Sequence, residues 1–89
     1  MAQATVQAAG TTAATSTDIT VANGATIKIG IDCAGAISPA DTLMIFEDTP
    51  LGERPLMQLN SSNPSTLVVG GTYRVKRPVT TASIAVFTE

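Results

Sequence analysis

From Ile19 onward, hydrophobic positions recur with a period of two. Ile19-Thr20-Val21 alternates, and Ile27-Lys28-Ile29-Gly30-Ile31-Asp32 alternates again with three isoleucines on one face. β-branched residues alternating with other residues mark a strand that buries one face. Asn23-Gly24 lies between the two runs and signals a hairpin. A two-residue loop would pair Val21 with Thr26 and Ile19 with Lys28. Cross-strand partners share a face, so the two apolar rows would then point opposite ways. A three-residue loop, Ala22-Asn23-Gly24, pairs Val21 with Ala25 and Ile19 with Ile27, with Gly24 in the left-handed position. The pattern predicts that hairpin, with an arch crossing between two sheets as the alternative.

Further along, Ala34 to Asp41 reads as a loop of small residues ending near Ser38-Pro39. Thr42-Leu43-Met44-Ile45-Phe46-Glu47 is apolar on both faces at its centre, as an inner strand would be. Asp48 to Pro55 holds two prolines and a glycine and reads as a turn-rich connection. Leu56-Met57-Gln58-Leu59 is a short strand and Asn60 to Pro64 a loop. The register test places a hairpin loop at Gly70-Gly71-Thr72, pairing Val69 with Tyr73 and Leu67 with Val75 on one face. Pro78 ends that strand because it has no N–H to donate. Ser83 to Phe87 is the last strand.

No segment combines helix formers with a 3.6-residue period. The expected fold is all-β: a small antiparallel β-sandwich, immunoglobulin-like or jelly-roll-like, of about seven short strands. Met1 to Asp18 is rich in Ala, Thr, Gln, Ser and Gly, with Val6 its one large apolar residue after Met1. Such a stretch cannot by itself bury enough surface to offset its ordering entropy. Residues 1–18 are therefore expected to form an extended N-terminal arm, either a disordered leader or a segment that orders on a partner. Residues 19–89 form the β-sandwich domain. A core of that size folds alone with little margin, and one cysteine cannot make an intrachain disulfide, so oligomerisation or docking on a larger body is expected.

Composition narrows the chemistry. The chain has no His, one Cys, no Trp and a net charge of −2. The mild acidity argues against a general nucleic-acid binder, which carries a basic excess on one face. Cys33 reads as a small hydrophobe, since no His is present to activate it, and a lone Cys fits a cytosolic site of synthesis. Met1-Ala2-Gln3-Ala4 lacks the basic region of a signal peptide and no apolar stretch follows. Apolar runs such as Leu43 to Phe46 are far too short to span a bilayer. A soluble protein made in the cytoplasm, without membrane contact, is expected.

Catalysis finds little support. Nucleophile–base pairs commonly need His, and Lys28 and Lys76 lack the context of a Ser–Lys site. Glu47 and Asp48 adjoin at a strand end and point opposite ways, which does not suit a carboxylate pair. Phe46, Tyr73 and Phe87 are the only aromatics and read as core residues. Asp41, Glu47 and Asp48 could join carbonyls around calcium, but without the acidic spacing of a dedicated loop. No enzyme, cofactor or metal is expected.

Two features remain. Arg74, Lys76 and Arg77 form the one basic cluster, with Arg74 and Lys76 on the outer face of their strand and Arg77 on the Tyr73/Val75 side. They are the candidate partner-binding residues, suited to an acidic patch on another protein; the plainer alternative is a solvated face. Gly71-Thr72-Tyr73-Arg74-Val75 is similar to the tyrosine corner of immunoglobulin-like domains, with Val75 where antibody domains carry Cys.

An Ala/Thr-rich leader, Asp18-Ile19-Thr20-Val21-Ala22-Asn23-Gly24-Ala25-Thr26-Ile27, and Val69 to Pro78 together resemble small virion proteins of tailed bacteriophages. Within those, the likeness is to head decoration (cement) proteins. The resemblance implies a non-enzymatic protein on the outer surface of a capsid, present in many copies, often as a trimer. Its partner would be the major capsid protein, and it would stabilise the shell against internal DNA pressure. It carries over no catalytic residue. The alternatives are a low-copy head–tail or tail/fibre adaptor domain, which copy number would distinguish, and a free immunoglobulin-like binding module.

Overall fold

In the computed structural model, which describes residues 4–89, the chain is all-β. Seven strands follow in order: β1 (Ala4–Gly10), β2 (Ala14–Thr15), β3 (Ile19–Cys33), β4 (Leu43–Thr49), β5 (Gly52–Leu59), β6 (Ser65–Arg77) and β7 (Ile84–Thr88). All pair antiparallel in one sheet, in the order β1-β7-β3-β6-β4-β5, with β2 beside β6.

Neither glycine-marked hairpin forms. β3 and β6 instead run as two long strands paired with each other on both sides of a bend. Ile19, Thr20 and Val21 pair with Tyr73, Thr72 and Gly71; Thr26 to Gly30 pair with Val69 to Ser65. Between these stretches β3 advances from Val21 to Thr26 while β6 moves only from Gly71 to Val69. The surplus residues include Asn23 and Gly24, and an extended bulge of this kind bends a strand and increases its twist. Two turn signals that each suggested a separate hairpin thus lie against each other at one corner. A Cβ on Gly70 would meet Asn23 Cα at 3.1 Å and the Ala22 carbonyl oxygen at 3.2 Å. The extra residues that keep both apolar rows on one face serve a bulge rather than loops.

The bulge keeps one face apolar throughout. Ile19, Val21, Ile29 and Ile31 of β3 are buried, and on β6 the inward positions change from Val68 to Tyr73 and Val75 across the glycines. Leu43, Ile45, Leu59, Ile84 and Val86 complete the core. Tyr73 donates its hydroxyl to the Val69 carbonyl at 2.7 Å, back across the glycine pair.

Within residues 4–18, read as an arm, Ala4–Gly10 and Ala14–Thr15 join the sheet; residues 1–3 are outside the described residues. β1 pairs with β7, and β2 with the end of β6. Ser16 is buried, donating its N–H to the Val75 carbonyl at 2.8 Å while its Oγ accepts from Val75 N–H at 2.9 Å. The pairing strands meet the backbone requirement that the segment's own composition cannot.

The connection expected over Asp48 to Pro55 contracts to a turn at Pro50-Leu51, with Thr49 opposite Gly52. Gly52 to Pro55 belong to β5. Pro55 is tolerated there because β5 is an edge strand and a bulge falls at that point, where Ile45 faces Met57 and Phe46 faces Pro55. Phe46 and Phe87, expected in the core, are half-buried on the outer face. Lys76 Nζ sits 4.5 Å from the Phe46 ring centroid and Lys28 Nζ 5.8 Å from that of Phe87, so each ring is covered by a lysine rather than by the core.

Asp41 staples two connections. Its buried carboxylate accepts from Thr81 N–H and Oγ1–H, both at 2.9 Å, and from Ala82 N–H at 3.1 Å. The Thr81 backbone bond is foremost in holding this carboxyl below its ordinary value. A depressed folded-state pKa contributes stability that is present above the unfolded value, about pH 4, and is lost as pH falls through the folded one. Asp41→Asn is expected to be less stable than the native chain at neutral pH, with the gap closing in acid. Urea titrations across pH check this; a gap that stays constant into acid would refute the assignment.

Candidate docking site

β6 turns Arg74 and Lys76 outward, as their alternation with buried Tyr73 and Val75 requires. Neither stands free. Arg74 Nε donates to Asp18 Oδ1 at 2.6 Å, its Nη1 to Glu53 Oε2 at 2.9 Å, and its Nη2 lies 3.6 Å from Asp48 Oδ2. Lys76 Nζ donates to Glu53 Oε1 at 2.8 Å. The Lys76 bond, then the Arg74 bond, holds the Glu53 carboxyl below the usual carboxylate range. Asp18 first and Glu53 second hold the Arg74 guanidinium more firmly in its charged form. The cluster is therefore an internally matched network, with three acids around two cations. Its energetic worth at the surface is modest, but its placement is informative.

Asp48 and Glu53 face each other across β4 and β5, so Arg74 clasps both strands of one hairpin near its end. Beyond the clasp the turn is stiffened locally. Pro50 fixes one backbone angle, Gly52 takes φ +116°, and Thr49 Oγ1 donates to the Gly52 carbonyl at 2.6 Å. At the tip stands Leu51, its side chain fully exposed at 101%. A large aliphatic side chain is thus held in water on a turn whose backbone has little conformational freedom left to lose on contact. The exposed Leu next to Pro50 was visible in the sequence, but nothing there separated it from an ordinary loop residue.

Arg77 is placed differently. It is buried at 5% exposure, on the core side as its parity predicted. Its guanidinium donates to the carbonyls of Thr12 at 2.9 Å, Ala8 at 3.0 Å and Ile84 at 2.7 Å. Gly10 leaves the space: a Cβ there would fall 2.8 Å from Nη2. Arg77 thus binds the N-terminal segment to β7 and does not reach the surface with Arg74 and Lys76.

Asp41, Glu47 and Asp48 do not converge. Asp41 is taken by Thr81 and Ala82, Asp48 faces Arg74, and Glu47 lines a separate groove. Among the described residues no three potential ligands gather for a metal ion. Cys33 is half-buried against the core and donates its thiol to the Gly35 carbonyl at 2.9 Å.

That groove, of about 290 Å³, is lined by Leu56 and Met57 of β5, Thr66 to Val69 of β6, Glu47 and Tyr73. Burial, with a smaller contribution from Glu47, pushes the Tyr73 hydroxyl pKa up. No protein-family model, curated protein or solved structure matches the chain.

Proposed function

We propose that this chain is a non-enzymatic docking protein that covers the outer surface of a tailed-phage capsid in many copies and stabilises the shell. The observation that carries the docking reading is Leu51, a fully exposed aliphatic side chain on a hairpin clasped by Arg74. The resemblance of the leader and of Val69 to Pro78 to decoration proteins supplies the partner, the major capsid protein. A protein that binds the closed lattice better than dissociated subunits stabilises the lattice by mass action. In this reading Arg74 and Lys76 act by bracing the anchor rather than by meeting an acidic partner surface.

Counting this chain against the shell protein in purified particles tests the reading. A copy number comparable to that of the shell protein supports decoration. A handful per particle would move the chain to the tail or portal, and absence would end the virion reading. Leu51→Asp is expected to weaken particle binding by about tenfold or more, in line with loss of an anchor residue. Its thermal midpoint should match the native one, since the side chain touches no core. Undiminished occupancy by the variant would remove Leu51 from the docking surface.

A further inference from the structure

β6 changes neighbours along its length. Its C-terminal half is paired on both sides, with β3 and β2 on one and β4 on the other. Ser65 to Val69 pair with β3 alone; among the described residues no strand pairs with their second edge, which borders the groove shared with Leu56 and Met57. Which groups face that edge follows from the ladder. Lys28 donates its N–H to the Glu89 carbonyl at 3.0 Å and accepts from Glu89 N–H at 2.9 Å, so both of its backbone groups point away from β6. Leu67, opposite Lys28, is therefore in a non-hydrogen-bonded pair and directs its own N–H and C=O away from β3. By alternation, Ser65 and Val69 do the same. The Tyr73 hydroxyl bond to the Val69 carbonyl agrees.

This edge lacks the usual defences against strand addition. β5 carries Pro55, a bulge and the charged pair Glu53 and Arg54; β1 has two register shifts. Ser65-Thr66-Leu67-Val68-Val69 has no proline, charge or bulge, and it leaves Leu67 69% and Val69 64% exposed.

We infer that this edge is a self-association surface, on which a second copy of the chain adds antiparallel about a two-fold axis through Leu67. The outward-facing positions 65, 67 and 69 are symmetric about Leu67. The axis therefore sets Leu67 of one copy against Leu67 of the other, and Ser65 against Val69, each N–H meeting a carbonyl; the Val69 carbonyl, which already accepts the Tyr73 hydroxyl, takes the Ser65 N–H on its second lone pair. The Leu67 side chains then cover each other on the outer face, an aliphatic cross-strand pair. Charge permits it. The nearest cation, Lys28, is one strand further out and bonded to Glu89 at 3.0 Å. The two copies' Lys28 residues would stand three strand spacings apart, about 14 Å, beyond a screening length of about 8 Å. A five-residue edge belongs with small interfaces, below about 1,200 Å², so the dimer is weak and forms at high chain concentration. The inference does not rest on the capsid reading, because the purified chain alone is its reagent.

Sedimentation equilibrium from low micromolar to about millimolar chain should show the mass rising from 9.1 kDa towards twice that value. Over the same range, hydrogen exchange at the Ser65, Leu67 and Val69 amides should slow by about tenfold, while amides elsewhere keep their rates. Leu67→Lys and Leu67→Glu should each remain monomeric, and an equimolar mixture of the two should associate. A native chain that stays monomeric, with exchange at Leu67 independent of concentration, overturns the proposal. So does a Leu67→Lys chain that associates as the native one does. Should either variant fail to fold by circular dichroism, the exchange measurement on the native chain decides.

Discussion

Arg77→Met is expected to cost about 3 kcal/mol or more of folding stability, because three carbonyl acceptors lose a charged donor in a buried site. Ala8, Thr12 and Ile84 supply those carbonyls, and Arg77 is 5% exposed. For 89 residues total stability is roughly 4–13 kcal/mol, so the loss is a large share of it. Arg77→Lys should fall between the two, since one ammonium cannot reproduce the planar fork that spans these carbonyls. The loss should be regional as well as global. Amides of β1 should exchange faster in the variant, because the guanidinium ties Ala8 and Thr12 to β7. Urea unfolding followed by fluorescence of Tyr73 measures the first effect. A midpoint within error of the native one would show that water replaces the guanidinium at no cost.

Gly71→Ala is the second large effect, at about 2 kcal/mol. Gly71 has φ +153°, and a Cβ there would lie 3.2 Å from Tyr73 Oη and 3.3 Å from Cζ. The substitution therefore adds crowding of Tyr73 to backbone strain. Gly24→Ala gives the comparison of a positive φ without crowding. Gly24 has φ +83° with nothing within 4 Å of a Cβ, so it incurs the left-handed cost alone, about 1–2 kcal/mol. For a domain of this size 1 kcal/mol corresponds to about 4–8 °C in thermal midpoint, so an added cost of crowding at Gly71 of that size is readable by calorimetry. Equal midpoints would mean that the Tyr73 contact at the corner is immaterial.

These two residues also show where sequence reasoning stopped. Arg77 was legible as lying on the Tyr73/Val75 face, and a long cation on a core face is expected to find internal acceptors. Grouping it with Arg74 and Lys76 by adjacency obscured that, because neighbours along a strand point opposite ways. The acceptors could not be foreseen, since two of them come from a segment whose composition suggests no structure. Gly70-Gly71 and Asn23-Gly24 were legible as departures from regular strand. A glycine pair is as suitable for a wide bulge as for a tight hairpin, and only the opposing strand distinguishes them. Arg74 and Lys76 were correctly placed on the outer face. Their partners Asp18, Asp48 and Glu53 are 56, 26 and 21 residues away for Arg74, counted from the sequence numbers, and no local rule reaches that far.

Periodicity and composition by themselves determined the all-β class, the run of strands from Ile19 onward, the loops at 34–41 and 60–64, and the inward rows of isoleucine and valine. These follow from local physics: side chains alternate across a strand, β-branched residues suit it, and proline and glycine interrupt it. Tertiary structure alone decided that two apparent hairpins are one bent pair of strands, and that the leader supplies β1 and β2. It also decided that the basic cluster splits into a surface brace and a buried clasp. Each of these depends on which distant backbone satisfies a hydrogen-bonding group. That choice is made by the whole sheet at once, through pairings the chain order does not encode.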